Sequence, residues 1–336
     1  MLQAPARWYK PRPSLRCRAL QGAGLLYALA VAWARRHGAG LRLPVPVVSV
    51  GNLTLGGTGK TPLVIALAGE LQRRGHRVAV LLRGYGGTSR LSCRVDGAHD
   101  AATVGDEALE YRQQLPDAQV WVGRDRLASG RAAIAAGASL LLLDDGLQHW
   151  RLARDLDITV LDRAHGLGNG LVFPAGPLRE PARQLGRADL LVLTGSGPAA
   201  AAALPWPAAK PRFLLSSWIA PPAALAGRPL LAFCGIGLPA KFFAALEQAG
   251  LPVLERRSFP DHHPYAPQDL HRLQQRASTL QATLVTTVKD WQRLPAGWRE
   301  RVVPLPLVLD PEVVAAITDA VLHRLAARSL GEAADG

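Results

Sequence analysis

Residues 51–62, GNLTLGGTGKTP, have the composition of a loop that binds phosphate. Such a loop needs backbone N–H groups that converge on an anion, a lysine that reaches phosphate oxygens, and a hydroxyl that binds Mg²⁺. The usual pattern places its first glycine at position 54, where this chain has a threonine far from the tightest bend. A turn without a ligand is the alternative, but the surrounding strand, loop and helix pattern predicts a Mg-nucleotide site. The predicted nucleotide-binding residues are Thr54, Gly56, Gly57, Thr58, Gly59, Lys60 and Thr61.

Two carboxylates follow a strongly apolar run further along the chain. The segment LLLLDDGLQH, 140–149, places Asp144 and Asp145 at the end of a predicted strand whose two faces must both be covered. In phosphate-loop enzymes an acidic residue at such a position holds Mg²⁺ opposite the loop. Asp-Asp-Gly on its own is often a turn, but the Gly-Lys-Thr sequence upstream favours a metal-binding role for both carboxylates.

The elements that must position these groups form an α/β pattern. From residue 45 onward apolar runs alternate with helical patterns, which is typical of a parallel sheet. We predict a P-loop NTPase-like, mostly parallel sheet flanked by helices, a smaller C-terminal α/β domain and an N-terminal amphipathic helix. The predicted parts are a basic and apolar segment (1–40), the nucleotide-binding core (41–200), an Ala/Pro-rich connector (201–228) and the smaller domain (229–328).

Charge and cysteine content narrow the class of partner. The chain has 336 residues, a net charge of +13 and a sequence pI near 10.6. This surplus favours nucleic acid, an anionic membrane surface or phosphorylated substrates, although basic residues that only maintain solubility are an alternative. The three cysteines are scattered, and no Cys/His cluster has the spacing of metal ligands.

The N-terminal segment combines basic residues with an uncharged apolar run, 19–34, that ends in two arginines. The run is shorter than the ~20 residues that span a bilayer. A signal peptide fits the pattern, but export would separate the nucleotide site from ATP, and a buried core helix is a further alternative. We favour an amphipathic helix in the membrane interface, with its flanking basic residues and Trp8, Tyr9 and Trp33 at headgroup level.

Two shorter motifs contain groups that could activate an acceptor hydroxyl. VGDE, 104–107, puts Asp106 where a helix begins, so this residue is either a helix cap or a base. FPDHHPY, 259–265, contains two adjacent histidines that could bind a metal or form an inert exposed pair. The residue types alone leave these alternatives open.

Together these motifs resemble the tetraacyldisaccharide 4'-kinase family, the lipid A 4'-kinases of Gram-negative bacteria. The resemblance extends from the N-terminal segment to TTVKD (286–290), and the family also lacks the first glycine of the standard loop. Val288 stands where we expect an acidic or polar residue. The matching motifs are GNLTLGGTGKTP, RGYGG (83–87), VGDE, LDDGLQH (143–149), PAGPLREP (174–181), FCGIGLPAKF (233–242) and FPDHHPY.

The resemblance implies a reaction and a location. Family members transfer the γ-phosphate of ATP, with Mg²⁺, to the 4'-hydroxyl of a tetraacylated glucosamine disaccharide 1-phosphate. They work at the cytoplasmic face of the bacterial inner membrane. The implied partners are therefore this lipid and an anionic membrane surface, with no nucleic acid, and we expect a peripheral monomer.

The resemblance also implies roles for individual residues. Asp106 would be the base and His262, from the other domain, would pair with it and share the proton. Lys60 would bind the β- and γ-phosphates, and Tyr85 would lie near the adenine or the acceptor. The implied metal ligands are Thr61, Asp144, Asp145 and, as an addition, Glu180. The implied substrate or phosphate contacts are Glu107, Arg124, Gln148, His149 and Asp261.

Two other functions compete with a lipid kinase. A nucleic-acid-binding ATPase would explain the charge, but it predicts aromatic residues along a basic groove, and aromatic residues make up 6% of the chain. A membrane-cycling P-loop ATPase without a lipid acceptor would need no Asp/His pair. Its turnover should therefore be insensitive to His262→Ala.

Overall fold

The computed structural model describes residues 5–10, 12–38, 40–89, 91–195 and 204–334. The Ala-rich stretch 196–203, where the predicted core ends and the predicted connector begins, lies outside them. The chain starts with a 3-10 helix (Ala6–Tyr9), followed by α1 (Leu15–Ala19) and α2 (Gln21–Arg36). Ser14 caps α1, because its Oγ accepts a hydrogen bond from Cys17 N at 3.4 Å.

Helix α2 leaves most of its apolar side chains exposed. The Tyr27 ring packs edge-on against Phe173 at 5.6 Å, and Arg35 donates a hydrogen bond to Gln184. Leu25, Leu26, Leu29 and Trp33 are each at least 58% exposed. Trp8 and Tyr9 were also expected at headgroup level, but Trp8 is buried and the Tyr9 hydroxyl lies 3.4 Å from the Leu55 carbonyl oxygen, so only Trp33 of the three is free to meet a membrane. Within the described residues, no helix combines the length and apolarity needed to cross a bilayer.

An eight-stranded sheet forms the centre of the larger part of the molecule. Its strands lie in the order β3-β4-β2-β5-β1-β6-β7-β8, and the neighbours are parallel except for the antiparallel pair β3 and β4. The strands are β1 (Val47–Gly51), β2 (Val78–Leu82), β3 (Cys93–Arg94), β4 (Gln119–Val122), β5 (Leu140–Asp144), β6 (Leu156–Asp162), β7 (Leu190–Thr194) and β8 (Arg212–Leu215). The central strands β2, β5, β1 and β6 are buried along their whole length and mostly apolar, because helices cover both faces of the sheet.

The helices of this part are α3 (Lys60–Arg73), α4 (Ala101–Val104), α5 (Asp106–Gln114) and α6 (Arg126–Ala135). Helices α3 and α5 contribute to one buried cluster, and α6 contributes to a second cluster with Val47, Ala79 and Leu81. Because parallel strands have their carboxyl ends at the same edge, the groups after β1, β5 and β6 meet there.

The smaller part contains a parallel sheet in the order β11-β10-β12-β13. Its strands are β10 (Leu230–Cys234), β11 (Val253–Ser258), β12 (Thr283–Thr287) and β13 (Val302–Leu305), and its helices are α7 (Pro239–Gln248), α8 (Pro267–Leu280), α9 (Val288–Gln292) and α10 (Ala296–Arg299). A two-stranded antiparallel ribbon of β9 (Ser217–Ile219) and β14 (Leu307–Leu309) lies where the chain enters and leaves this part. Short 3-10 helices occur at Ala182–Arg187 and Ala223–Leu225.

The last helix, α11 (Pro311–Ala334), returns to the larger part. It packs against α3, and Val314, Ile317 and Val321 are buried in the cluster that covers the large sheet. Residues 229–328 were expected to form the smaller domain, and 201–228 a connector. In the structure, α11 packs on the larger part of the molecule. Strand β8, which lies in the predicted connector, is an edge strand of the large sheet.

Candidate active site

The glycine-rich segment forms a loop between β1 and α3 whose shape is held by its own side chains. Gly59 precedes α3 with φ +82°, a left-handed conformation that glycine adopts at little cost. The buried Asn52 side chain donates from Nδ2 to Thr58 Oγ1 at 3.2 Å and to the Gly56 carbonyl at 3.4 Å. The N-terminus of α3 thus follows a loop of fixed shape, and the partial positive charge of a helix N-terminus favours anion binding.

Position 54 shows why the loop tolerates a threonine there. Thr54 is 4% exposed and its backbone forms a β-bridge with Leu178. On either side, Leu55 N donates to the Pro177 carbonyl and Arg179 N donates to the Leu53 carbonyl, both at 2.7 Å. The segment that carries the PAGPLREP motif thus pairs with this end of the loop, where an ordinary extended conformation suffices.

Lys60 lies between the loop and one of the two predicted metal-site carboxylates. Its Nζ is 3.1 Å from Asn52 Oδ1 and 3.5 Å from Asp145 Oδ1. Both carboxylate oxygens of Asp145 also accept from Arg179 Nη1 at 2.8 Å. Burial opposes ionisation of Asp145, but the Lys60 and Arg179 charges outweigh it and lower its pKa to about 2. Asp145 is therefore ionised at neutral pH.

Asp144 has one engaged oxygen and one free oxygen. Its side chain is buried, Oδ2 accepts from the Tyr111 hydroxyl at 2.8 Å, and Oδ1 has no hydrogen-bond partner among the described residues. Burial and the nearby Glu107 charge raise its pKa to about 6. A buried oxygen without a partner is costly unless a ligand completes its coordination, so Asp144 fits a cation such as Mg²⁺.

The other predicted metal ligands differ in how they are engaged. Glu180 accepts from Gln148 Nε2 at 2.9 Å through Oε1 and pairs with Arg187 at 3.2 Å through Oε2. Thr61 is partly buried in the first turn of α3. In the part of the chain that the structure describes, no three His, Cys, Asp or Glu side chains form a metal cage. Mg²⁺ usually takes one or two carboxylates and completes its shell with phosphate and water, which fits Asp144 and Thr61.

Asp106 begins α5 and faces the smaller domain. Its Oδ1 accepts from Glu107 N at 3.0 Å, and its Oδ2 accepts from Arg293 Nε at 2.8 Å. His262 Nδ1 lies 3.2 Å from the same Oδ2. Burial opposes ionisation of Asp106, but the hydrogen bond with His262 and the charges of Lys289 and Arg293 outweigh it and hold its pKa well below the usual value.

His262 is held in place by its backbone and by a second cation. It has φ +59°, and its N–H donates to the Gly235 carbonyl at 3.1 Å. Lys289 Nζ is 3.5 Å from His262 Nε2 and 3.3 Å from Glu107 Oε1. Asp106 and Glu107 thus meet His262, Lys289 and Arg293 from the smaller domain. We call these five residues the acceptor-side junction.

Two predicted contacts lie at the edge of this junction, and the second histidine has a different partner. The Tyr85 ring is 6.1 Å from the His262 ring, and Asp261 Oδ1 is 3.9 Å from His262 Nε2. His263 instead pairs with Asp269 at 2.9 Å, which orders the start of α8. The two adjacent histidines therefore have different partners, His262 at the junction and His263 within the smaller domain.

Arg124 and His149, the remaining predicted contacts, have different surroundings. Arg124 is exposed, whereas its neighbour Arg126 is buried and donates to the Asp144 carbonyl at 3.2 Å. His149 Nε2 is buried without a partner in the described residues, and burial together with Arg126 and Arg154 lowers its pKa to about 4. His149 is therefore neutral near pH 7.

Sequence reasoning overlooked the cations that organise both carboxylate sites. Lys289 and Arg293 lie four residues apart on and just after α9, and Arg179 lies inside PAGPLREP, where the resemblance implies a role for Glu180 alone. Spacing of i and i+4 places two side chains on one helix face, which was the available signal for the first two. Their carboxylate partners are more than 180 residues away along the chain.

Fold and site together define a phosphate-loop nucleotide-binding protein with a buried carboxylate in reach of a second domain. The chain matches the family described as tetraacyldisaccharide-1-P 4'-kinase (LpxK) over residues 17–326. It is 44% identical to the tetraacyldisaccharide 4'-kinase of Methylobacterium sp. (strain 4-46), with 99% of each chain covered, and 47% identical to that of Nitrobacter hamburgensis, with 87% and 88% covered. The chain belongs to the tetraacyldisaccharide 4'-kinase family.

A solved structure agrees with this assignment. The crystal structure of LpxK from Aquifex aeolicus in complex with ATP superimposes with a TM-score of 0.74 at 29% identity, covering 92% of this chain and 99% of that one. The predicted family, the α/β fold class and the ATP-dependent lipid A kinase function are confirmed. A membrane-cycling ATPase without a lipid acceptor is not favoured. Family membership implies a lipid disaccharide substrate.

Proposed function

We propose that this chain binds Mg-ATP at the loop and that Asp106 accepts the proton of the lipid's 4'-hydroxyl. The observation that carries this proposal is the placement of α5. The helix begins with Asp106, and Tyr111, five residues further along it, donates a hydrogen bond to Asp144. One rigid element therefore links the proposed base to the proposed metal site, which suits in-line transfer between two fixed centres.

The low pKa of Asp106 determines how it would act. The carboxylate is ionised at neutral pH and can accept a hydrogen bond from the acceptor hydroxyl, although it is a weak base by itself. His262, at 3.2 Å, orients the carboxylate and shares the proton. The acceptor O–H bond breaks as its oxygen forms a bond to the γ-phosphorus. The bond from the γ-phosphorus to the β,γ-bridging oxygen breaks, and ADP leaves.

The remaining groups would bind and orient the phosphates. Lys60 reaches the β- and γ-phosphate oxygens from the start of α3, and the loop N–H groups receive the anion. Mg²⁺, when bound by Asp144 and Thr61, would neutralise charge on the phosphates. Arg179 holds Asp145 in place, and Glu180 accepts a hydrogen bond from Gln148. Arg179 and Glu180 would therefore support the loop rather than react.

We further propose that the protein is a monomer at the cytoplasmic face of the bacterial inner membrane. The exposed apolar side chains of α2, with the basic residues Arg16, Arg18, Arg35 and Arg36 near its ends, fit a helix in the interface of an anionic bilayer. Leu26→Glu should therefore reduce co-sedimentation with anionic vesicles. Unchanged sedimentation of this variant would exclude α2 as the membrane contact.

The kinase proposal is tested with γ-labelled ATP, Mg²⁺ and tetraacyldisaccharide 1-phosphate in detergent micelles. Wild type should label the lipid, and Lys60→Ala should not, because the phosphates lose their cation. Arg272→Ala, which removes an exposed cation on α8, is the matched control and should behave as wild type. Consumption of ATP by wild type without labelled lipid would overturn the proposal and restore the membrane-cycling ATPase.

A further inference from the structure

A recess lies beside the loop on the opposite side from Asp144. In the large sheet β1 lies between β5 and β6, so groups after β6 flank the loop on the side away from the metal-site carboxylates. The N-terminal segment, the loop, the chain after β6 and the smaller domain all contribute to the recess. Its lining residues are Tyr9, Thr54, Leu55, Gly56, Gly57, Thr58, Asp162, His165, Gly166 and Leu238.

An ion pair between the two parts of the molecule borders this recess. Asp162, the last residue of β6, is buried, and its Oδ1 accepts from His165 N at 2.9 Å and lies 2.7 Å from His165 Nδ1. Its Oδ2 accepts from Nζ of Lys241, which lies in the first turn of α7 in the smaller domain. We call Asp162, His165 and Lys241 the recess-side junction.

The proposed function indicates which end of the nucleotide would face this recess. If the γ-phosphate faces Asp144 and Asp106, the rest of the nucleotide leaves the loop on the opposite side of β1, which is the β6 side. Two flat side chains are in place there, because the Tyr9 and His165 rings are 4.5 Å apart and Tyr9 lies against the loop, 3.4 Å from the Leu55 carbonyl. Aromatic rings and a partly apolar rim suit the base and sugar of a nucleotide.

We propose that Lys241 is a positioning residue for ATP: through Asp162 it holds the smaller domain closed over the recess in which the nucleoside end of ATP lies. This inference rests on the proposed nucleotide-binding function. Leu238, three residues before Lys241, already lines the recess, so the ion pair fixes a wall of the site. Asp162 and Lys241 contact each other and not the acceptor-side junction, and their effect falls on nucleotide affinity.

The size of the effect follows from the population of the closed arrangement. When the competent state is only partly populated, apparent affinity falls by that fraction. Loss of the Lys241 charge leaves Asp162 with His165 alone inside a mostly buried site, which weakens closure. We expect the KM for ATP to rise about three- to fivefold in Lys241→Met, because the half-exposed ion pair contributes about 1 kcal/mol or less to closure, with kcat within about twofold of wild type.

The test measures KM for ATP, kcat and, without lipid, equilibrium binding of ATP for wild type, Lys241→Met and Lys241→Arg. Arginine should restore much of the affinity because it keeps the charge and reach. Arg256→Met is the matched control, because Arg256 pairs with Glu247 of the same helix α7 but lies wholly within the smaller domain. Asp162→Asn is the second variant and should also raise the KM for ATP.

The outcomes separate this inference from the proposed function. Wild-type affinity for ATP in Lys241→Met, an equal loss of affinity in Arg256→Met, or a fall confined to kcat would each overturn the positioning role. Failure of wild type to phosphorylate the lipid would instead overturn the proposed function. The binding measurement without lipid would still show whether Lys241 affects nucleotide affinity.

Discussion

The two junctions between the parts of this molecule use the same chemistry at very different exposure. At each one, a cation of the smaller domain contacts a carboxylate at the carboxyl-end edge of the large sheet. Arg293 and Asp106 are both 8% exposed in their side chains, whereas Lys241 is 43% exposed against 7% for Asp162. Asp106 also contacts His262 from across the gap, whereas Asp162 has Lys241 as its cross-domain partner and His165 from its own side.

This difference in exposure suits one junction to holding a reacting group and the other to closing the smaller domain. A buried carboxylate with several fixed partners has a defined orientation, and breaking one partner leaves an uncompensated charge. A half-exposed lysine can exchange its partner for water at small cost. The acceptor-side junction is therefore suited to fixing a reacting group, and the recess-side junction to opening and closing with the nucleotide.

Removal of the proposed base should have the largest effect. Asp106→Asn keeps the shape of the side chain but removes its ability to accept a proton, so kcat should fall by roughly 10²- to 10⁴-fold. The KM for ATP should change little, because Asp106 lies outside the recess and the loop. Steady-state kinetics with varied ATP and lipid measure both quantities.

Asp117→Asn provides the control for this change, because Asp117 lies in an exposed turn before β4. It should have wild-type kcat. A kcat for Asp106→Asn within threefold of wild type would remove Asp106 from the chemical step, and the contrast between the two junctions would then describe stability alone.

The two junctions should also contribute differently to the free energy of unfolding. Arg293→Met leaves the buried Asp106 charge without its closest cation, so the free energy of unfolding should fall by about 3–5 kcal/mol. Lys241→Met should cost about 1 kcal/mol or less, since the Lys241 side chain is 43% exposed. Denaturant unfolding of both variants and of Arg293→Lys measures the difference. Equal losses in Arg293→Met and Lys241→Met would show that exposure does not distinguish the two pairs.

The sequence predicted local parts of this molecule better than the junctions. The loop from Asn52 to Thr61 and the Asp144-Asp145 pair were found from residue types because each is continuous in sequence and lies at the end of an apolar strand. Asp106 and His262 came together through the family resemblance, and the structure places them 3.2 Å apart. Their roles remain a proposal.

Contacts between distant residues were beyond sequence reasoning for a physical reason. Arg293 meets Asp106 across 187 positions and Lys241 meets Asp162 across 79, and neither pair has a local pattern that encodes it. The return of α11 to the large sheet is a similar case, because its apolar face could equally have covered the smaller sheet. Such partners are selected by the tertiary fold rather than by periodicity.

The smallest expected effect is the loss of unfolding free energy at acid pH, which should also differ between the two junctions. The pKa of Asp106 is lower in the folded chain than its usual value of 3.8, so the unfolded chain binds its proton first as the pH falls. The stability from this carboxylate is thus present above pH 3.8 and is lost below it. From pH 5 to pH 3, wild type should lose about 1 kcal/mol more unfolding free energy than Asp106→Asn. Asp162→Asn should show a smaller difference, because the Lys241 side chain is 43% exposed and water screens its charge. An equal or larger difference would contradict the contrast between the two junctions.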